Sequence, residues 1–306
     1  MKKTKVVVIG TGAVGATTAY TLLLRNRMDE LVLIDSNYNK AAGDALDMNH
    51  GMPFLDGSTV WAGTYEDCAG ADIIVITAGA AQKPGETRTD LLRRNADIFD
   101  NIIHQILPHN QDAILLIATN PVDIMSYIAL KKSGLPAERV IGSGTLLDSA
   151  RFRYLIGQKL HIDPRSVHAH IVGEHGDSEV PIWSLANIAG VELQLSKEDK
   201  ENIFVHTRDA AYSIIEAKGA TYYAIALAID RICTAILRDE GAVLNVSTML
   251  GTYCGVEADT YLGVPCIVDR TGIRKTLELT ITEQEQELFR QSANKMKAII
   301  AELEQA

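Results

Sequence analysis

Short runs of β-branched and aliphatic residues recur through the first half of the chain. Each ends in Gly, Asp or Asn, and each is followed by a stretch with helical spacing. The runs are VVVI at 6–9, LVLI at 31–34, IIVIT at 73–77, ILLI at 114–117 and VI at 140–141, with a weaker candidate, TVW, at 59–61. They are nearly unbroken in apolar residues, the pattern of strands buried on both faces. Strands of this kind alternating with helices imply parallel pairing and right-handed crossovers, hence an α/β fold with a doubly wound parallel sheet. After about Ser143 the pattern changes. Helices mix with shorter strands, and turn signals appear at Asp163-Pro164 and at 269–272. Ser196 and Asp199 resemble a capping box with Asp in place of Glu, opening a helix that Gly219 closes. Thr282 and Glu285 form a regular capping box for a last helix running almost to Ala306. With no long linker between them, the two parts, 1–143 and 144–306, are expected to dock tightly around a site.

Charge narrows the functional classes. The 306 residues carry 29 Lys+Arg against 39 Asp+Glu, a formal charge of −10. Non-specific nucleic-acid binding needs a basic face, and an anionic membrane surface repels an acidic protein, so neither partner is expected. An anionic substrate would need local cations against this mean charge. Cys68, Cys233, Cys254 and Cys266 are scattered without a C-x-x-C pair, which suits neither a zinc site nor a disulfide framework. No metal is expected, and reduced thiols fit a cytoplasmic setting. The apolar run near the N-terminus is too short for a signal-peptide core, and no run of about 18 apolar residues exists to span a membrane.

Gly10-Thr11-Gly12-Ala13-Val14-Gly15 directly follows the first strand and opens a helix, and the second strand ends in Asp35, 20 residues past Gly15. In this context the first glycine permits a tight turn, the second lets backbone approach a pyrophosphate, and the third lets helix and strand pack. The phosphates would meet free N–H groups at the helix N-terminus. A carboxylate at Asp35 accepts hydrogen bonds from an adenosine ribose and repels a 2′-phosphate, so NAD is favoured over NADP. The first part therefore reads as a Rossmann domain and the second as an α+β substrate domain.

The reacting end is less explicit. His175 lies in GEHGD at 173–177, where flanking glycines suggest an exposed turn. It is either a surface or structural histidine or a group that moves a proton near neutral pH. Asp148 and Arg151, three apart on an expected helix, are either a surface ion pair or a pair aimed into a cleft, one orienting an imidazole and the other gripping a carboxylate. The segment 79–88, GAAQKPGETR, follows a strand at its carboxyl end and is either a mobile lid or an ordinary polar loop. Asn120-Pro121 is either a turn or a substrate contact with a bond compatible with the cis form.

Taken together, GTGAVGA at 10–16, VLIDSN at 32–37, GDALDMNHG at 43–51, ITAGAAQKPGETR at 76–88, ATNPVD at 118–123, IGSGTLLDSARFR at 141–153, GEHGDSE at 173–179 and KGATYY at 218–223 resemble the NAD-dependent L-lactate and malate dehydrogenase family. The resemblance spans essentially the whole chain and is strongest to its bacterial L-lactate members. It implies that His175 donates and accepts the proton of the C2 oxygen, that Asp148 accepts a hydrogen bond from its other ring nitrogen, that Arg151 pairs with the substrate carboxylate, and that Arg88 rides on the lid to polarise the reacting carbonyl. It places Asn120 and Thr221 at the substrate or nicotinamide end, and Gly10, Gly12, Val14, Gly15, Asp35, Ala78, Gly79 and Asn120 around NAD. It further implies a homotetramer, with Arg153 and His168 matching positions where allosteric relatives bind fructose 1,6-bisphosphate between subunits.

Gln82 decides the substrate. Malate dehydrogenases resembling this loop carry Arg there for the second carboxylate of oxaloacetate. Neutral Gln would leave that carboxylate unpaired in a closed site, whereas the methyl group of pyruvate needs no partner. Pyruvate/lactate is therefore expected over oxaloacetate/malate. Ala81, where many bacterial relatives show Asn, leaves room for bulkier 2-oxo acids. Gln82→Arg is expected to move the kcat/KM ratio towards oxaloacetate by at least about tenfold, the worth of ~1.4 kcal/mol, in an NADH absorbance assay. An unchanged ratio would place Gln82 away from the substrate.

Overall fold

A computed structural model describes residues 3–80, 85 and 88–304, with backbone only at 88 and 89. All six apolar runs of the first half form strands: β1 (Lys5–Ile9), β2 (Glu30–Ile34), β3 (Thr59–Ala62), β4 (Ile73–Ile76), β5 (Ile114–Ile117) and β6 (Val140–Gly142). They pair in parallel in the order β3-β2-β1-β4-β5-β6. Every residue of β4 and β5 is buried, as are four of the five in β1 and in β2. That explains why these segments carry no polar alternation. The helices between them are α1 (Ala13–Leu24), α2 (Tyr38–His50), α3 (Arg88–Ile106) and α4 (Val122–Ser133). The strand order reverses between β1 and β4, where open α/β sheets form a crevice at the strands' carboxyl ends.

The second half begins with α5 (Leu146–Leu160), followed by β7 (Val167–Val172), β8 (Val180–Ile188) and β9 (Val191–Glu192), which form a small antiparallel sheet. Then come α6 (Lys197–Lys218), α7 (Tyr223–Leu237), β10 (Ala242–Tyr253), β11 (Val256–Asp269), β12 (Gly272–Thr276) and α8 (Glu283–Glu304). The expected α/β architecture with an added α+β part is present, but the parts share more than a docking surface. β10 pairs antiparallel with β6, and β11 and β12 follow, so one nine-stranded sheet runs through both. Their meeting point needs Gly142, because a Cβ there would sit 2.8 Å from the Ser247 Cβ.

The expectation of shorter strands in the second half is corrected. β10 and β11 have 12 and 14 residues and are the longest strands described. An antiparallel hairpin satisfies each new backbone group as it grows, so it extends without a crossover. Its sequence hides its length because β11 alternates buried and exposed at its start and is then almost wholly buried. The caps are as read. Ser196 Oγ accepts from the Asp199 N–H at 3.0 Å, and Gly219 ends α6 with φ of 83°. Thr282 and Glu285 bond reciprocally, the Thr282 N–H donating to Glu285 at 2.9 Å. All four cysteines are buried free thiols, and among the described residues no helix is long and apolar enough to cross a membrane.

Asp230 on α7 ties the second half to the α1–β2 connection. Its side chain is 1% exposed and accepts from Arg25 at 2.8 Å and Arg27 at 3.1 Å. Severing a buried pair costs about 3–5 kcal/mol, but Arg25 is half exposed and regains water. Asp230→Ala is therefore expected to lower unfolding stability by about 2 kcal/mol, read from the shift in the urea midpoint. An unchanged midpoint would show that the two arginines gain nothing from this carboxylate.

Candidate active site

A groove of about 500 Å³ lies at the carboxyl ends of β1, β2 and β4, lined by Gly10, Gly12, Asp35, Ala78 and Gly79 among others. Gly10 has φ of 94°, and a Cβ there would fall 2.6 Å from the Ala78 backbone nitrogen. A Cβ on Gly15 would lie 1.8 Å from the Gly10 carbonyl oxygen, so the turn and helix α1 close only with hydrogen at both places. Gly12 differs, because a Cβ would meet nothing within 4 Å and would project into open space. Gly12 also caps α1 without a side-chain hydrogen bond, which leaves first-turn N–H groups for an anion. Val14, in that first turn, is half-buried.

Asp35 accepts from the Thr11 N–H at 2.7 Å, the Thr11 hydroxyl at 3.1 Å and the Asn37 N–H at 2.8 Å. Burial favours its neutral form, but these hydrogen bonds, with Lys40 nearby, outweigh it and hold the carboxyl below its usual range. A fixed negative charge at this end of the groove, with amides at the other, fits a dinucleotide carrying a free 2′-hydroxyl and disfavours a 2′-phosphate.

His175 stands in the loop between β7 and β8. Gly173, with φ of 92°, sends the chain back towards α8, and its backbone exchanges two hydrogen bonds with Gly263 of β11 at 2.8 and 2.9 Å. Asp148 lies in the first turn of α5 with its side chain 2% exposed, and its Oδ2 is 2.5 Å from His175 Nδ1. Its other oxygen accepts from Arg151 at 2.7 Å. The Asp148–Arg151 pair thus faces inward, and the remaining Arg151 N–H groups have no partner among the described residues. Burial opposes protonation of His175. The Asp148 charge and hydrogen bond, aided by Asp123 and Glu179, overcome that and raise its pKa to about 9. Burial likewise works against the Asp148 carboxylate, yet His175 and Arg151 hold it ionised with a lowered pKa.

Asp123 was not singled out by sequence reasoning. It sits in the first turn of α4, 2% exposed, where it accepts from the His175 N–H at 2.8 Å and from the Ser247 hydroxyl at 2.6 Å. Burial pushes its pKa up to about 6 despite those bonds. The only signal was a carboxylate just inside an apolar helix after Asn120-Pro121, whose peptide bond is cis. Asn120 is exposed at the end of β5, while Thr221 is half-buried in the connection between α6 and α7 and has no side-chain hydrogen bond among the described residues. Arg88 begins α3, but its side chain, like Gln82 and Ala81, lies outside the described residues. Arg153 is half-buried and His168 exposed, and both lie beside His170, whose pKa is lowered by burial and then by these neighbours.

A dinucleotide groove at the carboxyl ends of a parallel sheet, with a carboxylate-paired imidazole on the loop between β7 and β8, is the arrangement of an NAD-dependent oxidoreductase. Residues 4–142 match the lactate/malate dehydrogenase NAD binding domain, and residues 145–306 match the alpha/beta C-terminal domain of the same family. The chain belongs to the lactate/malate dehydrogenase family. It is 51% identical to L-lactate dehydrogenase 1 of Peribacillus psychrosaccharolyticus over 97% of this chain and 96% of that one. It is 50% identical to L-lactate dehydrogenase of Acetivibrio thermocellus over 98% and 97%. The ligand-bound crystal structure of the minor L-lactate dehydrogenase of Enterococcus mundtii superposes with a TM-score of 0.95 at 45% identity, covering 97% of this chain and 98% of that one.

Asp148→Asn keeps the shape of the pair and removes its charge. With burial then unopposed by Asp148, the His175 titration midpoint is expected to fall by two units or more, about 1.4 kcal/mol for each. Imidazole proton NMR of the ligand-free protein measures it. A midpoint still near 9 would assign the shift to other neighbours.

Proposed function

We propose that the protein is an NAD-dependent L-lactate dehydrogenase that reversibly reduces pyruvate to (S)-lactate in the cytoplasm. The observation that carries this reading is the 2.5 Å contact between buried Asp148, in the first turn of α5, and His175, on the loop between β7 and β8, in a chain that also has the dinucleotide groove. Full-length likeness to L-lactate dehydrogenases supports it. Bound NADH supplies the hydride that reaches C2 of the substrate. Negative charge then develops on the C2 oxygen, and protonated His175 donates to it, with Asp148 fixing the ring's tautomer and favouring imidazolium. Arg151 meets the substrate carboxylate with the N–H groups that Asp148 does not take, and its planar fork matches two oxygens as Lys cannot. Arg88 is assigned to the reacting carbonyl, Gln82 to the substrate methyl, and Asn120 and Thr221 to the substrate and nicotinamide end. Gly10, Gly12, Val14, Gly15, Asp35, Ala78 and Gly79 hold the cofactor. Residues 1–143 bind the dinucleotide and 144–306 complete the substrate site.

The same reading makes the protein a homotetramer with fructose 1,6-bisphosphate bound at Arg153 and His168. The closeness of Arg153 to His168 and His170 supports an anion there, because a guanidinium and ring N–H groups can donate to a phosphate.

One panel tests these assignments. Pyruvate, oxaloacetate and bulkier 2-oxo acids are followed with NADH, with and without fructose 1,6-bisphosphate, from pH 5 to 10. Pyruvate is expected to give the highest kcat/KM, and the bisphosphate to lower its KM. Protonated His175 is required for reduction and neutral His175 for oxidation. With the pKa raised to about 9, kcat for pyruvate reduction should persist through neutrality and fall above pH 9, while kcat for lactate oxidation should rise with pH over the same range. Faster oxaloacetate turnover would overturn the substrate assignment. A bisphosphate that changes neither KM nor assembly would remove the effector.

A further inference from the structure

Glu179 is a buried carboxylate of the His175 loop that the mechanism does not use. It closes the loop just before β8, its backbone N–H donating to the Gly176 carbonyl at 3.1 Å, so it and His175 belong to one tight turn. The residue is only 6% exposed, and its Oε1 is buried without any hydrogen-bond partner among the described residues. A buried carboxylate with no donor is costly, whereas a neutral carboxylic acid is tolerated and carries a proton to donate.

The charges facing it come from three elements: Asp148 and Arg151 on α5, His175 on its own loop, and Arg208 on α6. Arg208 is already engaged by Asp209 through two N–H bonds of 2.8 and 3.2 Å. Around His175, the carboxylates of Asp123 and Asp148 are matched in number by the cations His175 and Arg151. A further negative charge on Glu179 would leave this cluster net negative where an anionic substrate must enter.

We propose that Glu179 is a specificity-determining residue that must stand as a neutral carboxylic acid for a monocarboxylate to pair with Arg151, and that its ionisation closes the site to the substrate anion. This rests on the pyruvate assignment above. Burial, then the nearby Asp148 charge, push its pKa up to about 8, so the switch falls just above neutrality. Two protons are then lost between pH 7 and 10, one from Glu179 that governs entry of the carboxylate and one from His175 that governs the chemistry.

The test is Glu179→Gln, which keeps shape and neutrality at every pH. In the native enzyme, log kcat/KM for pyruvate is expected to fall with a limiting slope of −2 at alkaline pH, and in E179Q with a slope of −1. Equal slopes in the two enzymes would overturn the proposal, and a merely structural role predicts such equality. Carbonyl-carbon NMR of Glu-labelled, ligand-free native protein provides a readout independent of turnover. One glutamate side chain should titrate near pH 8 and be missing in E179Q. If no glutamate titrates above pH 7 in native protein, Glu179 is already ionised and the proposal fails, even if E179Q does not fold. Native protein that turns over no pyruvate while this signal is present would instead count against the substrate assignment alone.

Discussion

A carboxylate with almost no exposure must find its counter-charges inside the protein, and Asp148 finds two. Its oxygens are divided between His175 and Arg151. That division fixes the first turn of α5, the loop between β7 and β8, and the ring that loop presents. Asp123 grips the same loop from the other side through the His175 N–H. The two carboxylates sit in the first turns of α4 and α5, which are launched from the carboxyl ends of β5 and β6, neighbours in the parallel sheet. The imidazole is thus held by its ring and by its main chain. Both anchors descend from the scaffold that forms the dinucleotide groove.

Electrostatics at this point run against the protein as a whole. The chain carries −10, yet the residues gathered at His175 raise the imidazole pKa and, among the described residues, leave Arg151 N–H groups without a partner. Net charge governs long-range repulsion, which salt screens within about 8–10 Å. Within the buried pair that screening is weak, and local geometry decides. The acidity belongs mostly to solvated surface.

The parallel half of the fold was legible because strands buried on both faces leave unbroken apolar runs, and because the glycine spacing has a backbone reason that Gly10 and Gly15 display. The inward turn of the Asp148–Arg151 pair was not legible. An i,i+3 spacing looks the same on either side of a helix, and what turns the pair inward is His175, 27 residues away. Asp123 was hidden for the same reason, since its partners lie 52 and 124 residues along the chain. The β10–β11 hairpin was underestimated because its alternation stops midway, where both faces become covered. For Gln82, the resemblance remains the basis of the substrate assignment.

The nine strands that run unbroken from the dinucleotide half into the rest have a consequence for motion. Two bodies joined by a flexible connection can rock about it, but here β10 is bonded edge-on to β6, and opening a hinge would tear backbone hydrogen bonds from the centre of the sheet. Any opening motion must therefore fall to chain outside the sheet. Such a motion can open or cover the groove while the first turns of α4 and α5, which anchor His175, keep their places on the sheet.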